Sequence, residues 1–240
     1  CQGLQTEGAA KTYWAPEIIQ EGDQYHMFVT FIQGIYHDWG GERHIVHFTS
    51  SDLANWEFNS QLPLASDRVI DPGIIQLEDG TWRLWYKDEA AGSITKAADS
   101  KDLFNWNMIV ESSAKDRSHE APNVIHWKGK YWLLTDTGQG IGVYHSNDGQ
   151  DWVSQAMIMV QPGHRADDAW FGQHPDVIIQ NDRAYMFYFV HPDRGQYKSV
   201  TFESNYNSTM PTGWKRTSLQ VAELEVIDGI LTCDRDKYIN

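Results

Sequence analysis

The chain has 240 residues, with 19 Lys and Arg against 33 Asp and Glu, and its formal charge of −14 repels phosphate backbones and anionic lipid surfaces, which argues against a nucleic-acid partner. Its longest apolar run, residues 184–190, is strand-sized and far below the roughly 18 residues of a membrane helix, so no membrane span is expected. With 41% hydrophobic and 22% charged residues the composition supports a substantial core, and the 11 Trp, 11 Tyr and 9 Phe are spread along the whole sequence.

From the N-terminus, the first landmark is WAPEII around Pro16, followed by a turn and the aromatic run GDQYHMF at Tyr25, then SSDLANW ending at Trp56. The order recurs as IDPGII at Pro72, DGTWRLWY at Trp82 and SKDLFNW at Trp106, and again as EAPNVI at Pro122, KGKYWLL at Tyr131 and SNDGQDW at Trp152. A fourth pass has HPDVII at Pro175 and NDRAYMFYF at Tyr185, with a weaker closing landmark at Trp214. The four prolines stand 56, 50 and 53 residues apart. Apolar alternation has period two and no long stretch has helical period, so the class is all-β. A repeat of this length holding about four strands is the unit of a β-propeller, whose blades bury their faces against one another.

Blades are expected near 14–58, 69–110, 118–155 and 171–216, in a single propeller domain spanning 1–240, with a closing hairpin over 217–236 turned at Asp228-Gly229. Five blades of about 48 residues fill the chain. The expectation is therefore a five-bladed architecture with four clear repeats and an incomplete or missing first blade. Tyr25, Trp82, Tyr131 and Tyr185 are expected between blades, and Trp56, Trp106 and Trp152 at outer turns. Gly138, Gly140 and Gly142, lying between β runs, read as a hairpin and not as a nucleotide site.

Inner strands begin near the prolines, and acidic groups gather there: Glu17, Asp71, Glu120 and Asp176, with His174 and His119 adjacent. Carboxylates converging on one axis raise one another's pKa unless a cation or proton is shared. Paired carboxylates are the equipment of glycoside hydrolysis, one donating a proton to the leaving oxygen and the other activating water. Aromatic platforms and polar side chains for a sugar are also present: Trp14, Trp39, Arg43, His44, Lys87 and Trp170.

At these residues the sequence resembles the five-bladed propeller glycosidases of glycoside hydrolase family 43 and its relatives, in which a WAPE or WAPD strand, an IDP strand and an EAP or EGP strand follow in successive blades. The resemblance covers Tyr13 to about Phe202. It implies that Asp71 is the aspartate that tunes and orients the acid, that Glu120 is the general acid, and that His174 is the axial histidine of the last blade. It also implies an inverting mechanism on arabinofuranosides, xylosides or related plant-wall sugars of an oligosaccharide or polysaccharide. The family's base, an aspartate opening a blade before WAPE, has no counterpart here, which leaves Glu17 or Asp176 for that role or an inactive chain.

Two other readings stand beside hydrolysis: a non-catalytic carbohydrate-binding propeller, and a glycoside phosphorylase using Arg43, His44 and Lys87 to hold phosphate. No cofactor is required by any of these. The histidines lack zinc spacing, and calcium at oxygen ligands near the axis is the one metal expectation. Cys1 and Cys233 define no disulfide by themselves. Polymeric sugars lie outside the cell, which favours an extracytoplasmic location.

Overall fold

The structure is a computed structural model that describes residues 11–34, 41–109, 114, 116–197 and 211–237. Trp39 and Cys1 lie outside the described residues. The chain forms two compact units, unit 1 over Cys1–Val124 and unit 2 over Ile125–Asn240. Strands dominate both, as the period-two alternation predicts.

Unit 1 contains two antiparallel meanders. The first is β1 (Lys11–Glu21), β2 (Gln24–Gln33), β3 (His44–Ser50) and β4 (Glu57–Gln61); the second is β5 (Val69–Gln76), β6 (Trp82–Asp88), β7 (Ile94–Ser100) and β8 (Trp106–Ile109). The third sheet runs from β9 (Glu120–Trp127) through β10 (Lys130–Asp136) and β11 (Ile141–Ser146) to β12 (Val153–Ser154), and the division between units falls within β9. Unit 2 holds the rest of that sheet and a fourth, made of β13 (Gln173–Gln180), β14 (Arg183–Val190), β15 (Ser218–Ile227) and β16 (Ile230–Cys233), with a short helix α1 (Thr212–Lys215) before β15.

Here the structure differs from the sequence expectation. The 217–236 hairpin pairs β15 along β14, so it supplies the outer half of the fourth sheet and adds no further blade. Trp214 lies buried in α1, away from any outer turn. The tight turns are of the primed kind that suits twisted strands: Lys128-Gly129, Asn181-Asp182 and Asp228-Gly229 all have both central φ values positive. DTGQGIGVY is the β10–β11 hairpin, closed by the Gly138 N–H donating to Asp136 Oδ1 at 2.7 Å.

The Ser-x-Asp-x-x-x-Trp landmarks are β3–β4, β7–β8 and β11–β12 connections. Asp52 accepts the N–H groups of Ala54 and Asn55, Asp102 those of Phe104 and Asn105, and Asp148 those of Gln150 and Asp151. Those bonds hold all three carboxyls below the usual range. The third loop residue is left-handed each time, at Leu53, Leu103 and Gly149.

Packing follows the alternation. In unit 1, Phe28 and Ile45 of the first sheet meet Leu84, Tyr86 and Trp106 of the second; in unit 2, Trp132, Leu134 and Val143 meet Met186, Tyr188, Ala222 and Leu224. Each such side chain contributes about 1.5–3 kcal/mol when fully buried. Trp82 and Tyr131 are buried as expected of residues between blades, whereas Tyr25 and Tyr185 are half-buried.

Candidate active site

A proline has no N–H for a ladder, so within sheets it belongs on an edge or at a bulge. All four repeat prolines lie on edge strands, and three of them also lie at a bulge. β1, β5, β9 and β13 are edge strands, and the pairing register slips between Trp14 and Glu17, between Ile70 and Gly73, and between Gln173 and Asp176. The residue before each proline is left-handed: Ala15 (φ 45°), Asp71 (56°), Ala121 (49°) and His174 (46°). A non-glycine residue there costs roughly 1–2 kcal/mol, so the surrounding structure must hold it.

What holds it is a side chain of the preceding sheet. The Asp71 N–H donates to Thr30 Oγ1 at 3.0 Å, the Ala121 N–H to Asp71 Oδ2 at 3.0 Å, and the His174 N–H to Asp136 Oδ2 at 3.1 Å. Glycine at position 73 answers the same crowding, since a Cβ there would stand 2.2 Å from the Pro122 carbonyl oxygen. The β5 and β9 backbones thus approach closely, which brings the side chains of Asp71 and Glu120 together.

Asp71 is buried and Glu120 half-buried, and each offers a carboxylate oxygen within 4.8 Å of the other. That spacing is shorter than the about 6.5–9.5 Å of an inverting acid/base pair and the about 5–5.5 Å of a retaining pair. Lys87 Nζ lies 3.0 Å from Glu120 Oε2 and 3.2 Å from Glu89 Oε1, and Arg43 Nε donates to Glu89 Oε2 at 2.5 Å. Burial works against the Lys87 ammonium, but the charges and hydrogen bonds of Glu120 and Glu89 hold its pKa above the ordinary value.

The other expected site residues fall as follows. Glu17 and Trp14 are half-buried on β1, the strand packed beside β5. Arg43 is only 2% exposed, with its guanidinium on Glu89 and on the Gly41 carbonyl. His44 begins β3, with Nε2 3.5 Å from Glu42. His119 is buried, with Nε2 2.6 Å from the Thr95 hydroxyl, and burial lowers its pKa. In unit 2, His174 stacks on Phe189 at 5.5 Å, and with Asp176, Ile178, Phe187, Tyr188 and Leu219 it lines an open recess of about 370 Å³. Trp170 packs on the unit 2 core beside Phe171, and its buried indole N–H meets no hydrogen-bond acceptor among the described residues. Sequence reasoning did not single out Thr30, Gly73 or Asp136, whose roles arise only when sheets stack.

No protein-family model and no curated protein matches the sequence. Solved structures do. The chain is similar to a thermostable family-43 glycoside hydrolase at 18% identity and a TM-score of 0.66, covering 95% of this chain and 77% of that one. The fold is that of the family 43 glycoside hydrolases. An endo-1,4-β-xylanase from Bacteroides thetaiotaomicron matches at 17% identity and a TM-score of 0.65, over 93% of this chain and 75% of that one. So does a family 43 β-xylosidase/α-arabinofuranosidase from a compost microbial metagenome, in complex with xylotriose in a calcium-free form, at 15% identity and a TM-score of 0.64, over 93% and 73%. The four sheets are the blades of this β-propeller fold: the described residues make four blades where the repeat length suggested five.

Calcium takes six to eight oxygen ligands. The Asp71 and Glu120 carboxylates that unit 1 brings together belong to a group that could hold a metal ion, with the Lys87 ammonium 3.0 Å from Glu120.

Proposed function

We propose that the chain is a glycosidase that removes terminal arabinofuranosyl, xylosyl or related residues from plant-type oligosaccharides with inversion. The observation that carries this reading is the Asp71–Glu120 pair, a half-buried carboxyl beside a second carboxyl and a buried ammonium on the bulged inner strands. Glu120 gives its proton to the glycosidic oxygen as the bond from that oxygen to the anomeric carbon breaks. Water adds to the anomeric carbon from the opposite face, and a carboxylate takes its proton. Asp71 keeps a proton on Glu120 by repulsion and fixes it through the Ala121 N–H. Glu17 is assigned the base, and Trp14 and His44 are sugar contacts in unit 1. On unit 2, Trp170, His174 and Asp176 are assigned as sugar contacts.

The test is hydrolysis of aryl α-L-arabinofuranosides and β-D-xylosides, with the first-formed anomer read by proton NMR. Inverted sugar is expected. A retained anomer contradicts the inverting assignment, and no hydrolysis of any aryl glycoside contradicts the activity. The second reading, carbohydrate binding without turnover, is favoured by the Lys87 ammonium on Glu120, which stabilises the ionised form. Titration calorimetry with xylo- and arabino-oligosaccharides distinguishes it, since a pure binder releases heat and forms no product. A phosphate site built on Arg43 and Lys87 gains no support, because both cations are engaged by Glu89 and Glu120.

A further inference from the structure

Lys87 is a lysine only 7% exposed, on the strand β6 that pairs with the Asp71 strand. Its ammonium is positioned by a chain of charges that runs inward from the surface: the Gly41 carbonyl and Glu89 hold Arg43, Glu89 also holds Lys87, and Lys87 holds Glu120. Arg43 is a rigid, permanently charged fork that fixes Glu89, and Glu89 keeps one side of the Lys87 ammonium occupied. Glu120 thereby faces two opposed influences: the Asp71 carboxylate within 4.8 Å, which favours its proton, and the Lys87 ammonium at 3.0 Å, which favours its loss.

We propose that Lys87 is a positioning residue of this site: fixed by Glu89 and Arg43, it orients the Glu120 carboxyl and sets the pH above which Glu120 no longer carries a proton to give. The proposal rests on the reading of Glu120 as the acid. Within unit 1, the charged and titratable groups that face Glu120 are Asp71 of β5, Lys87 of β6, Glu89 after β6 and, beside it in the chain, His119, whose ring turns to Thr95 of β7. Lys96 of β7 is drawn to Asp88 at 2.7 Å, and Arg117 to Asp116 at 2.9 Å, so neither replaces Lys87 as the ammonium on Glu120. Lys87 touches neither the leaving oxygen nor the attacking water in this scheme. It acts through Glu120, by stabilising the carboxylate left behind when the proton has gone.

The test combines two readouts on the full chain. Carboxyl-labelled glutamate is followed by carbon-13 NMR against pH, with Glu120→Gln locating the signal, and the basic limb of the pH–rate profile is measured on an aryl glycoside. Lys87→Met is expected to raise the Glu120 midpoint by about one to two pH units, the size of a lost opposite charge, and to carry the basic limb upward with it. Lys87→Arg, which keeps the charge, leaves the midpoint near its original value. Glu89→Gln leaves the ammonium to Glu120 alone and moves the midpoint down, which keeps the proposal testable should Lys87→Met not fold. A midpoint that moves by less than about 0.3 units in folded Lys87→Met and Glu89→Gln overturns the proposal. If the midpoint moves but the basic limb does not, Lys87 governs Glu120 and the assignment of Glu120 as acid fails. If no aryl glycoside is cleaved at any pH, the proposed function fails while the NMR midpoint still decides the role of Lys87.

Discussion

Each unit contains a buried cluster of charge, and the two differ in their partners. In unit 2 the wholly buried Asp168 accepts from Tyr188 Oη at 2.9 Å, from Arg165 at 2.8 Å and from Arg235 Nε at 3.1 Å, and Arg235 closes a second bond with its other nitrogen. One carboxylate there has two guanidiniums. In unit 1, Glu120 and Glu89 share the Lys87 ammonium, and Asp71 offers a carboxylate oxygen within 4.8 Å of Glu120. The two guanidiniums on Asp168 make a lock that ties the segment after β16 to the 3₁₀ turn at Ala166–Asp168. In the proposed scheme the close Asp71–Glu120 pair is the titratable site, because two carboxyls so near each other favour a proton that can be passed on. Burial alone does not mark function, since Asp168 is the more deeply buried of the two centres.

If that contrast is right, the largest effect of mutation on stability belongs to the lock. Arg235→Met leaves Asp168 short of its bidentate partner and is expected to cost about 3–5 kcal/mol, read by urea denaturation, while leaving the Glu120 titration where it was. A loss below about 1 kcal/mol breaks the distinction.

Acid gives the next largest effect, and it acts on histidines outside both clusters. His47 is fully buried, stacked on Phe28 at 4.5 Å and with Nε2 2.9 Å from His26 Nδ1. Burial and then the neighbouring His26 lower its pKa from 6.5 to about 3. Above about pH 7 folded and unfolded chains are both neutral at this position; as pH falls through the window from 6.5 to 3, only the unfolded chain takes up the proton, so stability falls. At pH 4.5 the loss is about 2–3 kcal/mol. His47→Gln removes most of this acid sensitivity, as checked by melting temperature against pH. His191 in unit 2, lowered to about 4 by burial, contributes a smaller loss of the same sign.

The smallest effect on stability separates Asp71 from Asp168 most sharply. Asp71→Asn keeps an oxygen for the Ala121 N–H, so unfolding free energy changes by less than about 1 kcal/mol. Removal of its charge lowers the Glu120 midpoint, opposite in sign to the Lys87→Met shift, and glycoside turnover near neutral pH drops about tenfold or more.

The repeat, the all-β class and the hairpins were legible because proline, Asp-Gly and Ser-x-Asp signals act locally and recur. The prolines also located the inner strands, and IDP and EAP named the two carboxylates that the fold brings together. The acidic groups stand at different offsets from the prolines, Glu120 two residues before, Asp71 one before, Glu17 and Asp176 one after, but the structural consequence of those offsets was not legible. On a bulged strand these offsets lead to different surroundings. Long-range partners were equally hidden. Thr30 reaches Asp71 across 41 residues, Asp136 reaches His174 across 38, and Lys87 reaches Glu120 across 33. The value of glycine at 73 depends on the Pro122 carbonyl and on nothing near it in sequence. The 217–236 hairpin had the correct local form, but its allegiance to β14 was set by β15 pairing across the fourth sheet.

The central proposal is that the Asp71–Glu120 pair in unit 1 carries the chemistry, and Glu120→Gln tests it most directly. The substitution keeps size and hydrogen bonding while removing the proton that the scheme spends. Turnover of an activated aryl arabinofuranoside or xyloside is expected to fall at least a hundredfold with the melting temperature changed by no more than a degree or two. Turnover within about threefold of the unsubstituted protein contradicts the account.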